Sequence, residues 1–207
     1  MKVHQAVTVP VRRAEKEDIP QIVAIHQEAF RSSFLTGLGE RFLSHYYGLV
    51  HEYSGGILLV RQGEASIEGF VAGFLNPAGF YRRMRREAMG LAMPVLSAVG
   101  RQPGLLCRVI YNWHRVGRFS PSRSATCCEL SSIAVSPKRF GKGIGKSLAT
   151  AFLDEAWMIG AHYVYLTTDA DHNEFANEFY LGLGFERRRC FEQYRGRRMN
   201  EYAVCRP

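Results

Sequence analysis

The chain has no apolar run approaching the roughly 20 residues that a membrane-crossing helix needs. It also lacks a C-x-x-C pair and any histidine cluster at zinc-ligand spacing, so no metal site is expected. Its five cysteines, Cys107, Cys127, Cys128, Cys190 and Cys205, form no framework and read as free thiols of a reducing compartment. Met1–Pro10 carries His4 and Gln5 where a secretory signal needs an apolar core. A cytoplasmic location is expected, or a peripheral one at the inner membrane surface. Between Pro77 and Thr126 lysine is missing altogether, and Glu87 is the one acid.

That last absence concentrates the charge. The same stretch holds nine arginines, from Arg82, Arg83, Arg85 and Arg86 to Arg101, Arg108, Arg115, Arg118 and Arg123. Its surplus of eight equals the net charge of the whole 207-residue chain, +8, so the remainder is neutral. Phe80, Met84, Ala88 and Leu91 fall on one helical face opposite Arg82, Arg83 and Arg86. Leu105, Leu106, Val109, Ile110, Trp113 and Val116 make a second stripe. The segment 77–126 is expected as a basic helical insertion in a single domain spanning 1–207, long enough to bury a core. Its arginines suit an anionic partner: a membrane surface, a phosphorylated substrate or tRNA. A lid or a homodimer surface with a solvated arginine face fits the pattern as well.

Around this insertion the periodicities alternate. Val7–Arg12 reads as a strand, and Asp18 and Pro20 open a helix with Ile22, Ile25, His26 and Ala29 on its apolar stripe. Phe34–Gly39 breaks the pattern and Arg41–His51 resumes it, up to Gly55-Gly56. Ile57–Arg61 and Ile67–Leu75 read as strands around a polar turn. After the insertion come a strand over Cys127–Val135, a loop, a helix over Lys146–Ile159 and a strand over Tyr163–Thr168. A short helix over Asn173–Leu183 and a hairpin of Phe185–Tyr194 with Met199–Cys205 close the chain. The order predicts an α/β (α+β) fold.

The strand-to-helix loop Ser136–Ser147 carries glycine at every second position: Gly141, Gly143 and Gly145. Such spacing lets main-chain N–H groups approach an anion, and the following helix adds its positive end. Lys142 and Lys146 contribute mobile charge, so a diphosphate is the natural ligand. A Walker A loop requires four residues between its first glycine and Gly-Lys-Ser; Gly141 stands one residue too close to Gly145. The dinucleotide fingerprint G-x-G-x-x-G is not met by G-x-G-x-G. A coenzyme A pyrophosphate loop remains, the other reading being a glycine-rich turn that binds no ligand.

Ile133-Ala134-Val135-x-Pro137 followed by Gly141-Lys142-Gly143-Ile144-Gly145 resembles motif A of the GNAT superfamily of acyl-CoA N-acyltransferases. Asn173-x-x-Ala176-x-x-Phe179-Tyr180-x-x-x-Gly184-Phe185 resembles that family's motif B. The likeness covers Val7–Ala72 loosely and Cys127–Val204 well. It implies a mixed, mostly antiparallel sheet flanked by helices and splayed open near Ile133–Val135. The main chain of Ile133, Ala134 and Val135 would then bind the pantetheine arm of acetyl-CoA. Arg139, Phe140, Gly141, Lys142, Gly143, Ile144, Gly145 and Lys146 would hold its phosphates, and Asn173 would cap the helix and touch the arm. Phe140 departs from the pattern, since it stands where the family usually has Arg or Gln and Arg139 comes one residue early.

Acyl transfer to an amine requires deprotonation of the amine, stabilisation of an oxyanion and protonation of the departing thiolate. Glu129, six residues before Val135, matches the family's general base, and an acid inside an apolar strand gains proton affinity by desolvation. A solvent-facing residue, or a salt bridge to an insertion arginine, is the other reading of Glu129. Tyr180 matches the thiolate-protonating tyrosine, the alternative being a core tyrosine beneath the sheet. Asp169 and Asp171 could hold a cationic amine or be solvated loop acids, and His26 reads as a packed histidine. His162 and His172 show no partner.

Ala29-Phe30-x-x-x-Phe34-Leu35-Thr36-x-Leu38-Gly39-x-x-Phe42-Leu43 resembles the segment of bacterial GNAT proteins associated with surface-saccharide synthesis. That likeness implies an amino sugar carried on a nucleotide or lipid diphosphate as acceptor. A protein N-terminal or lysine amine, and aminoacyl-tRNA, are alternative acceptors. A non-catalytic acyl-CoA-binding sensor is the alternative of another class.

Overall fold

The computed structural model describes residues 11–31, 33–87, 99–100, 126–193 and 196–207. Seven strands form one sheet: β1 (Val11–Arg13), β2 (Gly56–Gln62), β3 (Ile67–Leu75), β4 (Cys127–Val135), β5 (Tyr163–Asp169), β6 (Glu186–Glu192) and β7 (Arg198–Cys205). Their spatial order is β1-β2-β3-β4-β5-β7-β6. The β4–β5 pair is parallel and the others are antiparallel. A parallel pair needs a crossover connection, which α5 (Ile144–Met158) supplies. The remaining helices are α1 (Ile19–Ala29), α2 (Phe34–Gly37), α3 (Glu40–Glu52), α4 (Pro77–Arg86) and α6 (Glu174–Gly182).

Helices α1 and α3 bury Ile22, Val23, Leu43, Tyr47 and Val50 against Phe70, Ala72 and Phe74 of β3. Helix α5 lies on the opposite face, where Ile144, Leu148, Phe152 and Ala156 recur every fourth residue as one stripe. They meet Leu59, Val71, Cys128 and Leu130 there. Covered on both sides, β2 and β3 are buried along nearly their whole length. Gly73 is required by this squeeze: a Cβ there would come within 2.1 Å of the Glu129 carbonyl oxygen and 2.5 Å of the Phe152 ring.

Local structure departs from the sequence reading in a few places. The first strand is described over Val11–Arg13, since residues 7–10 lie outside the described residues. Asp18 stands at the N-cap of α1, but its carboxylate makes no cap bond. It accepts from Arg12 Nη1 and from the Glu15 amide instead, at 2.6 and 2.8 Å. The pattern break after α1 contains the one-turn helix α2, capped by Ser33, whose Oγ accepts from the Thr36 amide at 3.1 Å. In the insertion, α4 is started by Asn76 in a left-handed conformation, with Oδ1 accepting from the Gly79 amide at 3.1 Å. Phe80 stacks on Phe74 at 3.8 Å between ring centroids, which fixes α4 to β3. The second stripe, Leu105–Val116, lies outside the described residues.

Candidate active site

Strand β4 is divided by a bulge. Its register with β3 shifts between Ala72 and Gly73, leaving Ser131 without an opposite residue. Cys128 and Leu130 before the bulge, and Ile133 and Val135 after it, all pack on the α5 side. Glu129 turns to the other face, towards α3 and α4. The bulged Ser131 is held by its own side chain, which donates to the Ala72 carbonyl and accepts from Tyr46 of α3, both at 3.1 Å.

Glu129 is enclosed by phenols. Oε1 accepts from the Tyr81 hydroxyl of α4 at 2.8 Å, and Oε2 accepts from the Tyr165 hydroxyl of β5 at 2.6 Å. Glu129 is half-buried, and among the described residues it forms no ion pair with an arginine. Burial pushes its pKa up, while the two phenol hydrogen bonds pull it back down. Sequence reasoning missed Tyr81 and Tyr165. No local spacing marks them, because they stand 48 and 36 residues from Glu129.

Beyond Glu129 the sheet opens. β4 and β5 pair over Cys127–Glu129 with Tyr163–Tyr165 and then separate. The β4 edge from Leu130 to Val135 therefore has a strand partner on the β3 side alone. The loop that follows makes a turn of 3₁₀ helix over Pro137–Arg139. Gly141 and Gly143 then take φ values of 79° and 72°, the left-handed region that favours glycine. Gly143 is the N-cap of α5, so the first-turn amides of Ile144, Gly145 and Lys146 have no partner within the helix. Lys142 and Lys146 are exposed beside them. The Arg139 guanidinium lies on Glu68 at 3.1 Å, and Phe140 is 58% exposed. The single-sided edge and the free amides at a helix start fit the pantetheine arm and the diphosphate of coenzyme A, with main-chain groups as the donors.

Across the opening, α6 carries Tyr180, buried at 8% exposure among Phe179, Phe185 and Tyr202. Burial raises its pKa, so the hydroxyl is protonated at neutral pH. A Cβ added at Gly145 would lie 3.6 Å from the Phe179 ring, so α6 packs close to the start of α5. Asn173 occupies the N-cap of α6 but makes no side-chain cap bond. Its Nδ2 donates to Thr168 Oγ1 at 2.7 Å instead, tying the helix to β5. Asn177 performs most of the anchoring: it donates to the Asp169 and Asn173 carbonyls and accepts from Asn200 and Tyr202.

Asp169 and Asp171 are paired with Arg197 and Arg198 at 2.7 and 3.2 Å, which occupies them structurally. His26 is a packed residue: its Nδ1 lies 2.6 Å from the Tyr47 hydroxyl, and burial lowers its pKa to about 4. Cys127 and Cys128 point to opposite faces of β4, as adjacent strand residues must. Among the described residues no helix is long and apolar enough to cross a membrane.

The profile of the family described as "Acetyltransferase (GNAT) family" matches residues 19–185. No curated protein sequence matches the chain. Among solved structures, a protein of the GNAT family from Desulfovibrio desulfuricans superposes with a TM-score of 0.64 at 13% identity, covering 95% of this chain and 98% of that one. A ribosomal-protein-alanine N-acetyltransferase from Brucella melitensis gives 0.62 at 17% identity, covering 95% and 99%. An acetyltransferase from Salmonella typhimurium, solved with its cofactor acetyl-CoA, gives 0.59 at 17% identity, covering 95% and 92%. At these identities the likeness is one of fold.

Proposed function

The chain belongs to the acetyltransferase (GNAT) family and is an acyl-CoA-dependent N-acetyltransferase; from that premise we propose that it acetylates, by direct attack, the primary amine of an amino sugar on a nucleotide or lipid diphosphate. Acetyl-CoA supplies the activated acyl group. The observation that carries the reading is the position of Tyr81, 2.8 Å from the Glu129 carboxylate on the same helix as Arg82, Arg83, Arg85 and Arg86. The helix that contacts the base thus also carries four arginines, Arg83 of which is paired with Glu52 and Glu87, and a basic element of this kind suits an amine whose carrier is phosphorylated.

In this reading Glu129 accepts the proton that the amine loses as its nitrogen attacks the thioester carbonyl. A main-chain N–H near Val135 on the open edge of β4 donates to the developing oxyanion. Tyr180 gives its proton to the departing thiolate, and its burial keeps that proton available. Gly141–Lys146 hold the diphosphate through amides and the two lysines, and the arginines in the segment 77–126 supply charge suited to the acceptor's phosphates.

A second reading, transfer to the N-terminal alanine of a protein, draws on the likeness to the Brucella ribosomal-protein-alanine enzyme. Free-thiol release from acetyl-CoA distinguishes the two. The assay compares nucleotide-linked amino sugars, the same sugars without the diphosphate, alanine-initiated peptides and aminoacyl-tRNA. Saturable turnover of the nucleotide-linked amines, with weaker turnover of the bare sugars, supports the proposal. Turnover of peptides alone overturns the amino-sugar acceptor in favour of the second reading. Thiol release with no amine in the panel overturns both.

A further inference from the structure

We propose that Tyr165 and Tyr81 are positioning residues that hold and poise the Glu129 carboxylate, making the base a three-residue unit assembled from β4, β5 and α4. The inference deepens the proposed function and rests on Glu129 being the base. Each carboxylate oxygen receives one phenol proton, Oε2 from Tyr165 at 2.6 Å and Oε1 from Tyr81 at 2.8 Å. Two donors from opposite sides fix the plane of the carboxyl group. They leave one lone pair on each oxygen, enough to accept the proton of an amine or of an intervening water.

The electrostatics require such a clamp. Desolvation alone drives a buried carboxyl towards the neutral acid, which cannot act as a base. The described residues offer Glu129 no lysine or arginine counter-ion, and the opposing pull comes from the phenols. The titratable groups that face it are Tyr46 from α3, Tyr81 from α4, Tyr165 from β5 and Cys127 on its own strand. Burial raises the pKa of Tyr46, Tyr81 and Cys127, and the charge of Glu129 raises each further. These three stay protonated while Glu129 titrates. Tyr81 also joins the first helix of the arginine-rich segment to Glu129.

The test is the pH profile of kcat/KM for Tyr165→Phe, Tyr81→Phe and the double variant, with Glu129→Gln as reference. Phenylalanine keeps each ring and removes one hydrogen bond to the carboxylate. Glu129 then binds its proton more tightly, and the fraction of active base falls at a given pH. The acid limb is expected to move to higher pH in each single variant and furthest in the double. Rates on the acid side should fall by roughly tenfold or more and recover on the alkaline plateau, with acetyl-CoA affinity unchanged. A carboxyl-carbon NMR titration of Glu129, assigned with Glu129→Gln, reads the same shift without turnover. An unmoved limb and an unmoved titration in both single variants overturn the clamp while leaving Glu129 as the base. A Glu129→Gln enzyme with the full wild-type rate overturns the proposed base, and the clamp with it.

Discussion

The two ends of β4 are paired differently, and the difference divides the chemistry. From Cys127 to Glu129 the strand has neighbours on both sides, β3 and β5. A half-buried carboxyl group is held there by donors from two segments, α4 and β5. From Ser132 to Val135 it has β3 alone, so its other edge presents main-chain donors and acceptors to a ligand. The bulge at Ser131 separates the two modes and resets the side-chain alternation. Glu129 thereby faces α4 while Ile133 and Val135 stay packed on the α5 side. The paired stretch holds the acid, and in the proposed reading the open edge receives the pantetheine arm.

The largest expected effect tests the open end. Tyr180→Phe should lower kcat by roughly 10²–10⁴-fold while acetyl-CoA affinity, measured by calorimetry, stays the same, because the variant removes a proton and no binding contact. Next comes the packing beneath the open end, where His26 donates to or accepts from Tyr47. Its pKa falls from 6.5 to about 4 on burial, so between those values the unfolded chain holds a proton that the folded chain does not. Stability should therefore be lost as pH drops through that window, by up to about 3 kcal/mol. In His26→Leu that slope should be absent from denaturant midpoints taken across the window.

A somewhat smaller effect probes the doubly paired end. Gly73→Ala places a methyl group against the Glu129 carbonyl and Phe152, and should cost about 1–3 kcal/mol, read as a lower denaturation midpoint. The smallest concerns the loop. Gly143 takes a φ of 72° with nothing within 4 Å of an added Cβ. Gly143→Ala should therefore cost about 1–2 kcal/mol through backbone strain alone, seen as a drop in melting temperature. If Gly73→Ala proved harmless and Gly143→Ala severe, the contrast between a crowded and an open end would fail.

Much of this was legible along the chain. The bounds of β3 and β4 follow from their apolar runs, and the loop from its alternating glycines. The strand-helix-strand order after residue 126 follows from the change of period. The resemblance to motifs A and B pointed to Glu129 and Tyr180 as candidate site residues. The partners of the acids were not legible. Asp169 and Asp171 read as open loop carboxylates until Arg197 and Arg198, some 28 residues on, were seen to occupy them. Asn173 read as a cap, yet Thr168 takes its amide. In each case a side chain had two satisfactory partners in prospect, and proximity in space chose between them.

By itself the sequence determined what short-range geometry dictates: where glycines free the backbone, which faces are apolar, and which segment carries the charge. These follow from steric and periodic rules that operate within a few residues. Tertiary structure alone decided the bulge at Ser131 and the meeting of Tyr81, Glu129 and Tyr165. Those depend on how separate elements stack. The proton affinity of a buried acid is set by whatever the stacking brings within hydrogen-bond reach.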